Sequence, residues 1–273
     1  MNMTRMIVLV AWLAGSLAAA SIPTQDLLRR SGKAAERFVL QFSDATCTEN
    51  VRQEKLGPKG RVLDHLDSSY DYLVLMRLGA SDIAVEESRI AIRQPGKSKG
   101  LSLLETSGFS LMAFIFHPYF QNSFEYTEPR LDSLDGKPAL RVDFEHIRGR
   151  RSPSVLRLRN RDYPLEWKGT AWFEPASFNV VRMTATLKDN MEDVGLRAVS
   201  VDVRCAAVRF SGDAEDAWMP SIATIEAETP RQHWRNVMRF SNYRHFSVNT
   251  STAQSGPPVT GAEGTADRAD PRH

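Results

Sequence analysis

Alternation of apolar and polar residues with a period of two runs through most of this chain and constrains its fold more than any other feature. In the clearest case, residues 140–145 read LRVDFE. Because successive side chains of a strand point to opposite faces, this pattern gives a sheet one dry face and one wet face. It predicts further strands at 70–78, 83–89, 155–158, 165–173, 180–187, 196–208, 219–228 and 235–248.

Two segments depart from this alternation and are predicted to be helices. Apolar residues recur at helical spacing between Leu27 and Phe42, and an almost continuous apolar block follows at 109–116. Such few helices cannot cross over between successive parallel strands, which disfavours a doubly wound fold. We therefore predict an α+β fold with an antiparallel sheet of about ten strands, which must curl, close or split because strongly twisted open sheets rarely grow larger.

The N-terminus is typical of a secretory signal peptide. One positive charge precedes the apolar run 6–17, and Ala18 to Ala20 supply the small residues before a cleavage site. The run is too short to span a bilayer, for which about 20 apolar residues are needed. We predict a signal peptide at 1–20, a single domain at 21–249 and a disordered tail at 250–273. The mature chain is then exported, to the periplasm or beyond, and does not span the membrane.

Composition and motifs exclude several classes of function. The 35 basic and 33 acidic residues give a formal charge of +2, which does not indicate a nucleic-acid binder. Two cysteines are too few for a zinc site of three or four thiolates, although Cys47 and Cys205 could form a disulfide after export, or remain free. We find no nucleophile elbow, phosphate-binding loop or HExxH motif, and the six histidines are scattered. We predict no catalytic residue, metal or cofactor.

Adjacent acidic residues offer little for acid–base chemistry. The pairs are Glu86-Glu87 and Glu192-Asp193. Neighbouring residues of a strand point to opposite faces, so the two carboxylates of a pair would not act together. We predict that both pairs lie at solvated edges.

Several longer strings carry a family resemblance. They are VEESR (Val85–Arg89), GKPALRVDFE (Gly136–Glu145), WKGTAWFEPASFNVVRM (Trp167–Met183), WMP (Trp218–Pro220) and FSNYRHFSV (Phe240–Val248). Together they resemble the LolA-type superfamily of envelope proteins, which includes the outer-membrane lipoprotein carriers, over roughly residues 24–248. The resemblance implies a curved antiparallel half-barrel with helices on its concave side, around an apolar cavity that holds acyl chains or another lipid.

The central apolar block is the first candidate site. Its large side chains could line a cavity between helix and sheet, where a lipid chain would bind through the apolar area it removes from water. The same residues could instead fill the core, and periodicity does not separate the two cases. The candidate ligand-binding residues are Phe109, Met112, Phe114, Ile115, Phe116, Tyr119 and Phe120.

A cluster of arginines is the second candidate site. Guanidinium groups bind carboxylate or phosphate through two parallel hydrogen bonds, so the cluster could contact an anionic partner. It could equally be a solvated loop followed by an exposed strand. The residues are Arg148, Arg150, Arg151, Arg157, Arg159 and Arg161.

Two functions follow from these candidates. The first is an exported envelope protein that binds a lipid or acyl chain in the concavity of a half-barrel, without catalysis. The alternative is an interaction or scaffold module with a filled core, which contacts an envelope protein through the arginine-rich loop.

Overall fold

The computed structural model describes four ranges of the chain, which are 22–78, 83–93, 109–158 and 161–246. The predicted signal peptide and C-terminal tail lie outside them. The helices are α1 (Thr24–Ser43) and α2 (Pro118–Gln121), with 3-10 helices at Pro58–Gly60, Phe109–Phe116 and Glu192–Val194. The strands are β1 (Ala45–Leu56), β2 (Val62–Leu78), β3 (Ile83–Arg93), β4 (Phe124–Tyr126), β5 (Arg130–Leu134), β6 (Lys137–His146), β7 (Val155–Leu158), β8 (Arg161–Pro164), β9 (Trp167–Phe173), β10 (Val180–Leu187), β11 (Ala198–Val208), β12 (Ala217–Glu228) and β13 (His233–His245).

The main sheet confirms the predicted α+β fold. It has eleven strands in the order β3-β2-β1-β13-β12-β11-β10-β9-β6-β4, with β5 paired to β6. Its neighbouring strands are antiparallel, and the curved sheet stays open rather than closing into a barrel. The first strand pairs with the last over eleven residues, so the two ends of the domain meet in the middle of the sheet. Strands β7 and β8 form a separate hairpin.

Helix α1 has the amphipathic pattern that the sequence predicts. Its buried face carries Leu27, Ala34, Phe38, Val39 and Phe42, among others. Residues three and four apart share one face of a helix, so this spacing forms a single apolar stripe that packs on the sheet. We call the face of the sheet covered by α1 the concave face, and the opposite one the convex face.

The predicted central helix is a 3-10 helix, Phe109–Phe116, followed by the short α2. Pro118 occupies the first turn of α2, where a missing N–H costs nothing. The His117 side chain accepts a hydrogen bond from the Tyr119 backbone N–H at 3.2 Å and caps the helix. We call Phe109–Phe116 the central helix.

Candidate functional site on the concave face

The concave face is lined by apolar rows that run across the strands. One row spans eight strands in register, and each of its residues is buried: Ser68, Val51, Met238, Ala223, Val203, Met183, Ala171 and Val142. The next row of the pleat contains Ala185, Gly169 and Phe144. A Cβ at Gly169 would lie 2.0 Å from the Thr184 carbonyl oxygen and 2.9 Å from Phe144. Small residues thus give this face the depth into which larger groups insert.

The central helix fills one half of the concave face with aromatic rings. The Phe116 ring lies 4.8 Å from Phe173, 5.4 Å from Tyr126 and 6.0 Å from Phe144, measured between ring centres. The Tyr126 hydroxyl donates a 2.6 Å hydrogen bond to the Ile115 carbonyl. The Gln121 side-chain amide donates to the carbonyl of Phe116 at 2.8 Å. Ring packing and the Tyr126 hydrogen bond fix the central helix on the sheet, whereas Gln121 of α2 also donates to the Leu28 carbonyl of α1 at 2.8 Å.

Helix α1 makes a shallower contact with the sheet. In its middle, Ser31, Ala34 and Ala35 are buried, and none carries a long side chain. A cavity of about 30 Å³ remains there, room for one or two water molecules. Its walls come from α1 and the sheet and from the turn before β10: Ser31, Ala34, Ala35, Phe38, Phe178, Asn179, Val180, Cys205 and Trp218. We call this contact the α1 seam.

A charged cluster lies on the concave side of β1, β2 and β3. The Arg89 guanidinium donates two hydrogen bonds to the fully buried Glu49 carboxylate, at 2.6 and 3.1 Å. Its Nη1 lies 2.8 Å from a carboxylate oxygen of Glu87. The guanidinium also lies 4.8 Å from the centre of the Tyr72 ring. A cation held by two carboxylates and an aromatic face is well compensated for its burial.

Burial controls the electrostatics of this cluster. It raises the pKa of the Glu49 carboxyl, because the charged form loses solvation that the bonds from Arg89 only partly replace. Burial alone would lower the pKa of Arg89, but its hydrogen bond and attraction to Glu49 outweigh that effect and raise the pKa. The guanidinium is therefore the firmly charged member of the pair.

The predicted apolar residues come together beneath α1 and above the sheet. Met112, Phe114, Ile115, Phe116 and Phe120 are buried, and Tyr119 is half-buried. The side chain of Phe109 lies outside the described residues. Their contacts are mainly with one another and with the sheet, as in the Phe114–Phe120 ring pair at 6.2 Å.

The four arginines of the predicted cluster whose side chains the structure describes are all exposed, and two of them have partners. Arg148 bonds to Asp189 at 2.5 Å, and the Arg151 guanidinium lies 4.5 Å from the Tyr119 ring centre. The structure therefore joins the two predicted sites through one contact. Arg150 and Arg161 are exposed. The Arg157 side chain and all of Arg159 lie outside the described residues.

The two cysteines are free thiols in the structure. Cys47 lies on β1 and Cys205 on β11, and strands β13 and β12 separate them. Three strand spacings amount to about 14 Å, whereas a disulfide requires Cα atoms less than about 7 Å apart. The disulfide considered from the sequence is thus absent here. Burial raises the pKa of both thiols to about 12.

The charged cluster is what the sequence reasoning missed. Glu192, Asp193 and Glu86 are exposed, as expected of solvated residues. The expectation was wrong for Glu87, because its side chain is only 7% exposed and pairs with Arg89. The signal was in the alternation itself, which puts Glu87 and Arg89 on the same face of β3.

Two further properties bear on function. Among the residues that the structure describes, no group of three or more His, Cys, Asp or Glu side chains is placed to hold a metal ion. Within the same ranges, no helix combines the length and the apolar character needed to cross a bilayer.

Comparison with known proteins gives structural neighbours only. No family model matches the sequence, and no curated protein does. The chain is similar to a LolA superfamily protein from Nitrosomonas europaea, with 11% identity, a TM-score of 0.33, and 84% of this chain and 96% of that one covered. It is similar to a DUF1329 family protein from Desulfovibrio piger, with 12% identity, a TM-score of 0.37, and coverage of 80% and 92%. It is also similar to a putative outer membrane lipoprotein-sorting protein domain from Vibrio parahaemolyticus, with 10% identity, a TM-score of 0.36, and coverage of 85% and 95%.

Proposed function

We propose that this chain is an exported envelope protein that binds a lipid or acyl chain on its concave face, without catalysis. The observation that carries the proposal is the apolar row across eight strands, whose small residues leave depth for an inserted group. Burial of each methylene contributes about 0.8 kcal/mol, so a chain of moderate length would bind tightly to such a surface.

The α1 seam is the place where the lipid or acyl chain would enter. Its cavity of about 30 Å³ is far smaller than ligand pockets, which measure roughly 300–1,000 Å³. Binding therefore requires one element to move away from the sheet. The central helix is held on the sheet by rings and by the hydrogen bond from Tyr126, whereas the middle of α1 contacts the sheet through short side chains. We infer that α1 is the element that moves.

Two leucine substitutions test this proposal. Ala35→Leu fills the α1 seam, and Ala206→Leu adds the same volume at an exposed position of β11. Delipidated mature protein is titrated with a fluorescent fatty acid, and circular dichroism verifies the fold. We expect saturable binding that Ala35→Leu weakens about tenfold and Ala206→Leu leaves unchanged. If the unmodified protein takes up no fatty acid, phospholipid or lipopeptide, the proposal is wrong.

Aromatic side chains fill the half of the concave face under the central helix. This packing favours the alternative function, a scaffold module that contacts an envelope protein through the arginine-rich loop. The exposed residues Arg150 and Arg161 would make that contact. Site-specific cross-linking from position 150 in intact envelopes tests this function. A discrete cross-linked protein that disappears in the Arg161→Glu variant, in a chain that binds no lipid, would support the alternative.

A further inference from the structure

The convex face carries a row of arginines in one register line across the main sheet. The six residues come from β5, β6, β10, β11, β13 and β3, in the order Arg130, Arg141, Arg182, Arg204, Arg239 and Arg93. On β9, Trp172 lies on the same line, between Arg141 and Arg182. The remaining three strands contribute Ile222, Asn50 and Ser69, so the line contains no carboxylate. We call these six residues the arginine row.

This arrangement needs compensation in a sheet. Like charges directly opposite each other on neighbouring strands are destabilising, and the row contains the direct pairs Arg130–Arg141 and Arg182–Arg204. The alternation requires only that residues on the convex face be polar. Folding alone therefore does not explain why charges of the same sign lie along one line. The row therefore points to a partner of opposite charge.

Nearby aspartates neutralise half of the row. Arg141 bonds to Asp143 at 3.0 Å, Arg182 to Asp202 at 2.7 Å and Arg204 to Asp135 at 2.9 Å. Each of these aspartates is at least one-third exposed, and exposed pairs contribute at most about 1 kcal/mol, so a ligand can exchange with them. No carboxylate of the described residues lies within ion-pair distance of Arg93, Arg130 or Arg239.

Trp172 fixes two members of the row. Its ring centre lies 5.5 Å from the Arg182 guanidinium and 6.0 Å from that of Arg141. The indole N–H donates a 2.9 Å hydrogen bond to Asp132. An anchored ring between two guanidinium groups holds them in place before any ligand arrives, which lowers the entropy cost of binding.

We propose that the arginine row binds a flexible, linear polyanion with carboxylate or phosphate groups, laid across the strands. The row crosses nine strand spacings, about 43 Å, and guanidinium groups bind both kinds of anion through paired hydrogen bonds. The sheet curves across its strands, so the row follows the curve. A flexible chain can bend with it and reach every arginine, whereas a flat bilayer would touch only part of the row.

The test compares two double variants with the same loss of charge. Arg130→Gln/Arg239→Gln removes two exposed arginines of the row that leave no aspartate unpaired, and Arg150→Gln/Arg161→Gln removes two exposed arginines elsewhere. Fluorescently labelled polyphosphate and polygalacturonate serve as phosphate and carboxylate probes, with dextran as the neutral control. Binding is measured by fluorescence anisotropy over a range of salt concentrations.

We expect the row variant to bind about tenfold more weakly and its salt dependence to fall by about two released ions, as removal of two anion contacts predicts. The control variant should change by less than about twofold. The two probes show whether phosphate or carboxylate polymers are preferred. Equal losses in both variants, absence of polymer binding, or tighter binding to phosphatidylglycerol vesicles would each overturn the proposal.

Discussion

The two faces of the main sheet hold the same arrangement of charges in different surroundings. On the concave face, Arg89 lies between Glu49 and Glu87. On the convex face, Arg235 lies between Glu54 and Glu226. Glu49 and Glu54 belong to the same strand, five positions apart, so they point to opposite faces. The Glu49 side chain is fully buried and that of Glu54 is 8% exposed, whereas the second carboxylate on the convex face, Glu226, is 35% exposed.

Desolvation and the number of cationic partners together separate the two arrangements, because among the described residues Glu49 pairs with Arg89 alone and Glu54 with both Arg235 and Arg52. Burial raises the pKa of Glu49 despite its two hydrogen bonds from Arg89. Burial also pushes the pKa of Glu54 upward, but there the hydrogen bonds from Arg235 and Arg52 outweigh it and lower the pKa. Similar ion pairs thus make different contributions to stability, because the balance between desolvation and the hydrogen bonds from cationic partners differs.

Aromatic substitutions should show the largest difference between the faces. Phe116→Ala removes a fully buried ring that packs on three others, and we expect a loss of about 4 kcal/mol in the free energy of unfolding. Trp172→Ala removes a larger but half-buried ring from the convex face and should cost less than half as much. Urea denaturation measures both values. Equal losses would mean that the central helix is not the packed element described above.

Arginine substitutions should show the next largest difference. Arg89→Gln leaves the buried Glu49 carboxylate without its bidentate partner, and we expect a loss of about 3 kcal/mol in the free energy of unfolding. Arg235→Gln leaves Glu54 with Arg52 and should cost about 1 kcal/mol. Thermal and urea denaturation at neutral pH give both values. A loss for Arg235→Gln as large as that for Arg89→Gln would mean that Arg52 does not compensate Glu54, and would contradict this contrast.

Much of the fold could be predicted from the sequence because it follows from local periodicity. Alternation located most of the strands and the wet and dry faces, and the spacing from Leu27 to Phe42 located α1. Periodicity does not distinguish a 3-10 helix from an α-helix in a short apolar block, which is why the central helix differs in type. The pairing of β1 with β13 joins residues about 190 positions apart, for which no local pattern gives a signal.

The candidate sites were less predictable because they depend on register. The six arginines of the row span residues 93 to 239, and bulges between Val180 and Arg182, between Arg204 and Cys205 and, opposite Arg93, between Ser69 and Tyr70 shift the alignment. Only the paired strands show that these residues form a line. The sequence drew attention instead to the arginines at 148–161, because they lie close together in the chain. In the structure, Arg148 contacts Asp189 and Arg151 contacts Tyr119.

The pH dependence of stability should show the smallest difference, with opposite signs on the two faces. The pKa of Glu49 is higher in the folded chain than its ordinary value of 4.5, so the folded state binds its proton more firmly. The stability that Glu49 contributes is therefore greatest below pH 4.5 and falls as the pH rises through the folded pKa. The pKa of Glu54 is lowered, so its contribution is present above pH 4.5 and is lost as the pH falls through the folded pKa.

Glutamine substitutions isolate these two contributions. The free energy of unfolding of Glu49→Gln relative to the unmodified protein should rise as the pH increases from 4.5 towards neutrality. The free energy of unfolding of Glu54→Gln relative to the unmodified protein should stay constant in that range. It should rise only below pH 4.5, because the unmodified protein then loses the contribution of Glu54. Urea denaturation at a series of pH values measures both curves. Parallel curves would show that the concave and convex carboxylates share one environment, and the contrast between the two faces would then be wrong.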